Sequence, residues 1–273
     1  MSNAALNEPI EDPADLLAEA KVQAVIGRLT SEFVESSQDV LHALERLLTD
    51  ITAGRVSESA AYDETFRMAH NIKGTAATFG YPLMGVIAHR LEDYIADRGE
   101  IGRDQVDDIQ VFIDRMQDVL DDETGENIAD AGKIVRSLPI KPSFDLRDVI
   151  RTNVEILLVM PKGTAARIVE RELCACGYRV TNLPAPFMAI EMAVLTKPNL
   201  VIASALLAEI DGIDLACAFQ AMPATKKIPF GLITSLTATD SRLKALPKTV
   251  PVIRKGPDFG EDLALALNLL GIT

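Results

Sequence analysis

His70-Asn71-Ile72-Lys73-Gly74-Thr75-Ala76-Ala77-Thr78-Phe79-Gly80 is the stretch that decides how the first half of this chain is read. Over residues 59–79 apolar side chains recur at helical rather than alternating intervals, at Tyr62, Phe66, Ala69, Ile72 and Ala76, so the segment is a helix with one apolar stripe. His70 and Lys73 fall beside that stripe and are reachable. Positions i, i+3 and i+4 share a helical face, which makes Lys73 and Gly74 neighbours of the His70 imidazole. A neutral imidazole can attack a phosphoryl donor near neutral pH, provided that its other ring nitrogen holds the proton and is oriented by an acceptor. Lys73 offers a positive point charge to phosphate oxygens, and Gly74, lacking a side chain, clears room for an approaching protein. Glycine in mid-helix costs about 1 kcal/mol relative to alanine, so its presence asks for a reason.

The next helix runs from Pro82, tolerated in a first turn, to about Asp97, with Leu83, Val86, Ile87, Leu91 and Ile95 on its apolar face. His89 and Glu92 stand three apart on it. If the two helices pack as an antiparallel hairpin around Phe79-Gly80-Tyr81, both can face His70 and supply the required acceptor. A long helical pattern from about Asp15 to Thr52, with Leu41, Leu44, Leu48 and Ile51 on one face, precedes them. A further helix from about Asp104 to Leu120, with Val106, Ile109, Phe112, Ile113, Met116 and Leu120 inward, completes an all-α up-and-down bundle.

This segment resembles histidine phosphotransfer (HPt) domains, most closely the phosphotransfer domain of CheA-type chemotaxis kinases. In that family H-x-x-K-G is followed, after a Phe-Gly turn, by a helix bearing H-x-x-E. Here those positions are His70, Lys73, Gly74, Phe79-Gly80, His89 and Glu92. The resemblance implies that His70 accepts the phosphoryl group, that Lys73 contacts it, and that His89 with Glu92 fixes the tautomer of His70.

Composition sets the surroundings. The 273 residues are 48% hydrophobic and 25% charged, which fits two globular domains with adequate cores. Residues 1–143 hold 13 Lys and Arg against 27 Asp and Glu, a balance of −14, while residues 144–273 hold 14 against 13, a balance of +1. An acidic helical domain repels nucleic acid and suits docking to protein surfaces. The three cysteines, Cys174, Cys176 and Cys217, are odd in number and lack a histidine cluster, so they read as buried, reduced thiols. No basic flank with an apolar core opens the chain and no apolar run approaches the roughly 18 residues of a bilayer span, which points to a cytoplasmic protein without membrane contact. Residues 1–12 read as a disordered N-terminus, 13–125 as the bundle, 126–152 as a linker with room for one short helix, and 153–273 as a second domain.

In that second domain short apolar runs alternate with helices: Val154 to Val159, Ala165 to Cys176, Arg179 to Leu183, Pro186 to Leu195, Leu200 to Ala203, Ile213 to Ala221, Phe230 to Ile233, Thr237 to Leu246, Val250 to Ile253 and Asp258 to Leu270. The pattern argues for a doubly wound α/β domain around a five-stranded parallel sheet of the flavodoxin-like kind. Its punctuation resembles response-regulator receivers: Pro198-Asn199-Leu200-Val201-Ile202, Ile210-Asp211-Gly212, Thr234 and Lys255. The family's chemistry is not matched. The acidic pair that holds Mg²⁺ at the end of the first strand reads Met160-Pro161, and the phosphoacceptor position at the end of the third strand is Ser204. The resemblance therefore implies a pseudo-receiver, with Thr234 and Lys255 structural, Asp211 part of the family's loop after the acceptor rather than its substitute, and a use in protein contact or homodimerisation through the fourth helix, fifth strand and fifth helix.

Together these readings describe a two-component phosphorelay protein that takes a phosphoryl group from a histidine kinase or a receiver aspartate and gives it to a partner receiver. No G-x-x-x-x-G-K-[ST] loop or glycine-rich kinase lid occurs, so the chain reads as a phosphocarrier rather than an enzyme. It needs no cofactor of its own, with Mg²⁺ expected in the partner receiver. Two other readings are a scaffold that binds signalling partners without phosphoryl flux and a cis arrangement in which the pseudo-receiver covers His70.

Overall fold

The computed structural model describes residues 13–96, 99–122, 130–140, 153–237, 239–256 and 259–272, with backbone alone for residues 13–20. The expected disorder of residues 1–12, and most of the expected linker, lie outside these residues. Among the described residues four α-helices form the first unit: α1 (Pro13–Thr52), α2 (Glu58–Thr75), α3 (Pro82–Ile95) and α4 (Val106–Leu120). Each packs on two others, α1 on α2 and α4, α3 on α2 and α4, which closes the bundle. The apolar stripes read from sequence are the ones buried: Leu41, Leu44, Leu48 and Ile51 of α1, Ala69 and Ile72 of α2, Leu83, Ile87, Leu91 and Ile95 of α3, and Ile109, Phe112, Ile113 and Met116 of α4.

The turn between α2 and α3 sets where the site falls. Ser57 caps α2 by accepting from Ala60 N at 3.3 Å. At the other end α2 tightens into a 3₁₀ turn, Ala76–Phe79, and stops at Gly80, whose φ of +89° favours glycine. Pro82 then opens α3 at its first turn. Phe33 of α1 stacks on Phe79 at 4.9 Å and lies 5.6 Å from the Tyr81 ring, locking the tip of this hairpin to the bundle.

A short helix, α5 (Ala131–Ser137), occupies part of the segment read as a linker, followed by the α/β unit: β1 (Glu155–Val159), α6 (Thr164–Ala175), β2 (Arg179–Asn182), α7 (Pro186–Thr196), β3 (Leu200–Ser204), α8 (Gly212–Ala221), β4 (Phe230–Thr234), β5 (Val252–Arg254) and α9 (Phe259–Leu269). All the strands are parallel in the order β2-β1-β3-β4-β5, the doubly wound flavodoxin-like order. Alternate residues face opposite sides. Ile156, Leu158, Leu200 and Ile202 pack with Val169 and Leu173 of α6 and with Leu263 and Ala266 of α9. Leu157, Val159, Val201 and Ala203 pack with Ala189 and Ala193 of α7 and with Leu215 and Phe219 of α8.

Two expectations are corrected. The described residues of the stretch read as a helix from Thr237 to Leu246 do not form one. A 3₁₀ turn, Ser241–Ala245, takes its place, capped by Asp240, which accepts from Arg242 N at 3.0 Å. Among the described residues of this stretch only Leu243 and Leu246 lean on the core, fewer apolar anchors than a surface helix needs, and Pro247 ends the run. The surface expected around a fourth helix is therefore built differently. The cysteines are free thiols, but Cys176, at the end of α6, is exposed rather than buried, and Cys174 and Cys217 are half-buried.

Candidate functional site

His70 rides on the outer face of α2 with its side chain 62% exposed, and Glu92 faces it from α3 with only 5% exposed. Glu92 Oε1 lies 3.0 Å from His70 Nδ1. An ionised carboxylate only accepts, so this contact sets the proton on Nδ1 and leaves the Nε2 lone pair free. Lys73, one turn along α2, donates from Nζ to the other carboxylate oxygen, Oε2. Glu92 thus holds the imidazole and the ammonium together. Burial pushes the Glu92 carboxyl up, but His89, Lys73 and His70 around it more than reverse this and hold it at about 2. The carboxylate is ionised throughout the physiological range.

His89 behaves differently from its expected place. It is buried, its Nδ1 is 3.9 Å from Glu92 Oε2, and its Nε2 is 3.5 Å from Asp93 Oδ2, too far in each case for a hydrogen bond. Among the described residues neither ring nitrogen has a hydrogen-bond partner, and His89 makes no described contact with His70. It adds polarity behind Glu92, while Glu92 alone supplies the acceptor. Gly74 stands one turn past His70, and a Cβ built there meets nothing within 4 Å, so the surface beside the imidazole is open. Sequence reasoning counted Phe66 only in the apolar stripe. Its ring also stacks on the His70 ring, centroids 6.1 Å apart and planes 15° from parallel, and its position one turn before His70 was the available signal.

At the carboxyl ends of the strands, where open α/β sheets bind ligands, the structure has Met160 and Pro161 after β1 and Ser204 at the end of β3, with Met160 and Ser204 buried. Asp211 caps α8, accepting from Ile213 N at 2.9 Å and Asp214 N at 2.8 Å. Gly212 has no room for a side chain, since a Cβ would strike the Ser204 carbonyl. Thr234 accepts from Leu236 N at 3.0 Å through its hydroxyl, and Lys255 is exposed beyond β5. This donor set does not fit Mg²⁺, which is bound through carboxylates. Among the described residues no three His, Cys, Asp or Glu side chains gather as metal ligands, and no helix is long and apolar enough to cross a membrane.

Residues 28–124 match the model of the Hpt domain family. No curated protein matches the chain. Among solved structures it is similar to the receiver domain of a sensor histidine kinase from Pseudomonas aeruginosa PAO1 (21% identity, 43% of this chain and 98% of that one, TM-score 0.39). It is also similar to the receiver domain of a signal transduction histidine kinase from Syntrophus aciditrophicus (27%, 43% and 90%, TM-score 0.38). A response regulator from Desulfuromonas acetoxidans is a third such structure (24%, 44% and 98%, TM-score 0.38).

Proposed function

From the premise of an Hpt domain at residues 28–124 joined to a receiver-like domain, a pairing of two-component phosphorelay signalling, we propose that this protein is a phosphocarrier that receives and passes on a phosphoryl group at His70. The single observation that carries the reading is the 3.0 Å contact of Glu92 Oε1 with Nδ1 of an imidazole whose other face is open to solvent. The Nε2 lone pair attacks phosphorus as the bond from phosphorus to the donor's leaving oxygen breaks. The ring keeps its Nδ1 proton and becomes cationic, and the buried Glu92 carboxylate stabilises that charge as it forms. No proton has to leave. Lys73 attends the incoming phosphate oxygens, and Gly74 lets the partner close over the site. The bundle supplies the nucleophile and its orientation, and the partner receiver or kinase brings the remaining charge stabilisation, including its own Mg²⁺.

The receiver-like domain is read as an adaptor that takes no phosphoryl group. Met160-Pro161 and Ser204 at the strand ends support this, since a serine hydroxyl cannot form the acyl phosphate and no acidic pair stands by to bind Mg²⁺. Asp211 is engaged as a helix cap, which argues against it as a substitute. Incubation with a phosphorylated receiver or an active kinase and Mg²⁺ tests both points. Acid-labile, alkali-stable label is expected on the wild type and lost in His70→Gln, with Ser204→Ala unchanged. A folded wild type that takes no label from any such donor would instead make the chain a binding scaffold.

A further inference from the structure

A second buried ionic cluster lies where α3 meets the sheet, and the phosphocarrier mechanism does not use it. The Arg90 side chain, 12% exposed, pairs with Glu155 at the start of β1, whose side chain is 4% exposed. Arg90 also donates to the Val180 carbonyl of β2 at 3.3 Å. Glu155 accepts from the Thr181 hydroxyl at 3.1 Å, and its Oε2 is 3.5 Å from Arg179 Nε. Arg179 in turn donates to the carbonyls of Leu138 at 2.5 Å and Val135 at 3.4 Å at the end of α5. Burial, then the like charge of Arg179, brings the Arg90 guanidinium down to about 10, with Asp93 and Cys174 pulling the other way. Charges closed off from water in this way tolerate little displacement, because each is costly without its partner.

Arg90 and Glu92 are two residues apart, about 200° around the helix, so they leave α3 on opposite sides. Glu92 reaches His70 and Lys73, and Arg90 reaches the receiver-like domain. We propose that Arg90 and Glu155 are positioning residues for His70: the receiver-like domain braces α3 from behind, so that Glu92 keeps its hold on His70 Nδ1. The C-terminal domain then acts on the site by contact. The same placement leaves the His70 face open to partners in trans, against the cis arrangement in which this domain covers it. Only the transfer arm of the test rests on the phosphocarrier reading.

The test uses the full-length chain with Glu155→Gln, which keeps shape and removes the charge from a residue of the other domain. Two readouts are taken: the ¹⁵N signature of the His70 ring nitrogens, which reports the tautomer, and single-turnover transfer from a phosphorylated receiver. The variant should lose the uniform Nδ1–H signature and slow transfer by about 2- to 30-fold, the range of couplings carried through packed networks. Arg90→Lys keeps a charge but loses the fork to Glu155 and Val180, and moves both readouts the same way by a smaller factor. It keeps the proposal testable should Glu155→Gln not fold. Wild-type tautomer signals in either folded variant overturn the brace, even with wild type carrying phosphate normally. A shifted tautomer in a chain that accepts no phosphate upholds the brace and fails the carrier reading instead.

Discussion

At 5% exposure the Glu92 carboxylate has exchanged most of its water for Nδ1 of His70 and Nζ of Lys73. A carboxyl held at about 2, below its ordinary 4.5, binds protons less readily when the chain is folded than when it is unfolded. Its contribution to stability is therefore complete above pH 4.5 and lost as the pH falls toward 2. Glu92→Gln should lower unfolding free energy by about 1.5–3 kcal/mol at pH 7, the usual worth of hydrogen bonds to a charged group. Urea titrations of both proteins should show the gap closing between pH 4.5 and 2, and a gap independent of pH would remove the carboxylate's charge from the account. Lys73→Ala should leave the fold intact and slow transfer on the order of tenfold, about 1.4 kcal/mol of barrier, and an unchanged single-turnover rate would take Lys73 out of the site. That His70 and Lys73 are neighbours was legible in the sequence, because helical spacing fixes which residues share a face, whereas Glu92, on another helix, was reached only through the expected hairpin and the resemblance. The place of His89 was not legible, since whether a residue three before Glu92 also reaches His70 depends on how α3 is rotated against α2.

Elements explain the glycine that the sequence left as a question. Gly74 stands in the last full turn of α2, and a Cβ there would meet no other element within 4 Å among the described residues. Packing therefore does not require glycine, and Gly74→Ala should stabilise the bundle by up to about 1 kcal/mol in thermal or urea unfolding. Gly74→Gln, which projects a long side chain beside His70, should raise the apparent Michaelis constant for the phosphorylated donor while the protein stays folded. A normal constant would mean that no partner closes over this turn. The contrast with Gly212 is physical: there a Cβ would strike the Ser204 carbonyl, so the Asp-Gly pair after β3 serves close approach and helix capping. The stretch that ends at Leu246 departs from a helix for reasons that lie outside it. Its composition tolerates a helix, but among the described residues only Leu243 and Leu246 give it an apolar foothold, and the chain settles for a 3₁₀ turn.

Over the whole molecule, the two fold classes were written in the change from helical periodicity to short apolar runs, but the seam between them was not. Arg90, Glu155 and Arg179 are separated by tens of residues, and each alone reads as an ordinary surface charge. Only the packed structure makes them one cluster, beside an apolar core that runs without a break from Leu83 and Ile87 of the bundle through Ala131, Val135 and Leu138 to Ala189 and Ala193 on α7. Continuity of this kind couples stabilities, because opening either unit would bare the other's apolar surface and strand the charges of the cluster. Native-state hydrogen exchange in rising urea should then show the slowest amides of α3 and of β3 opening together, with one free energy and one denaturant dependence. Val135 is 2% exposed at the centre of this seam, and Val135→Asp should split the behaviour, with α3 and β3 amides opening at different denaturant concentrations. Separate openings already in the wild type would mean that the seam does not couple the stabilities of the two units.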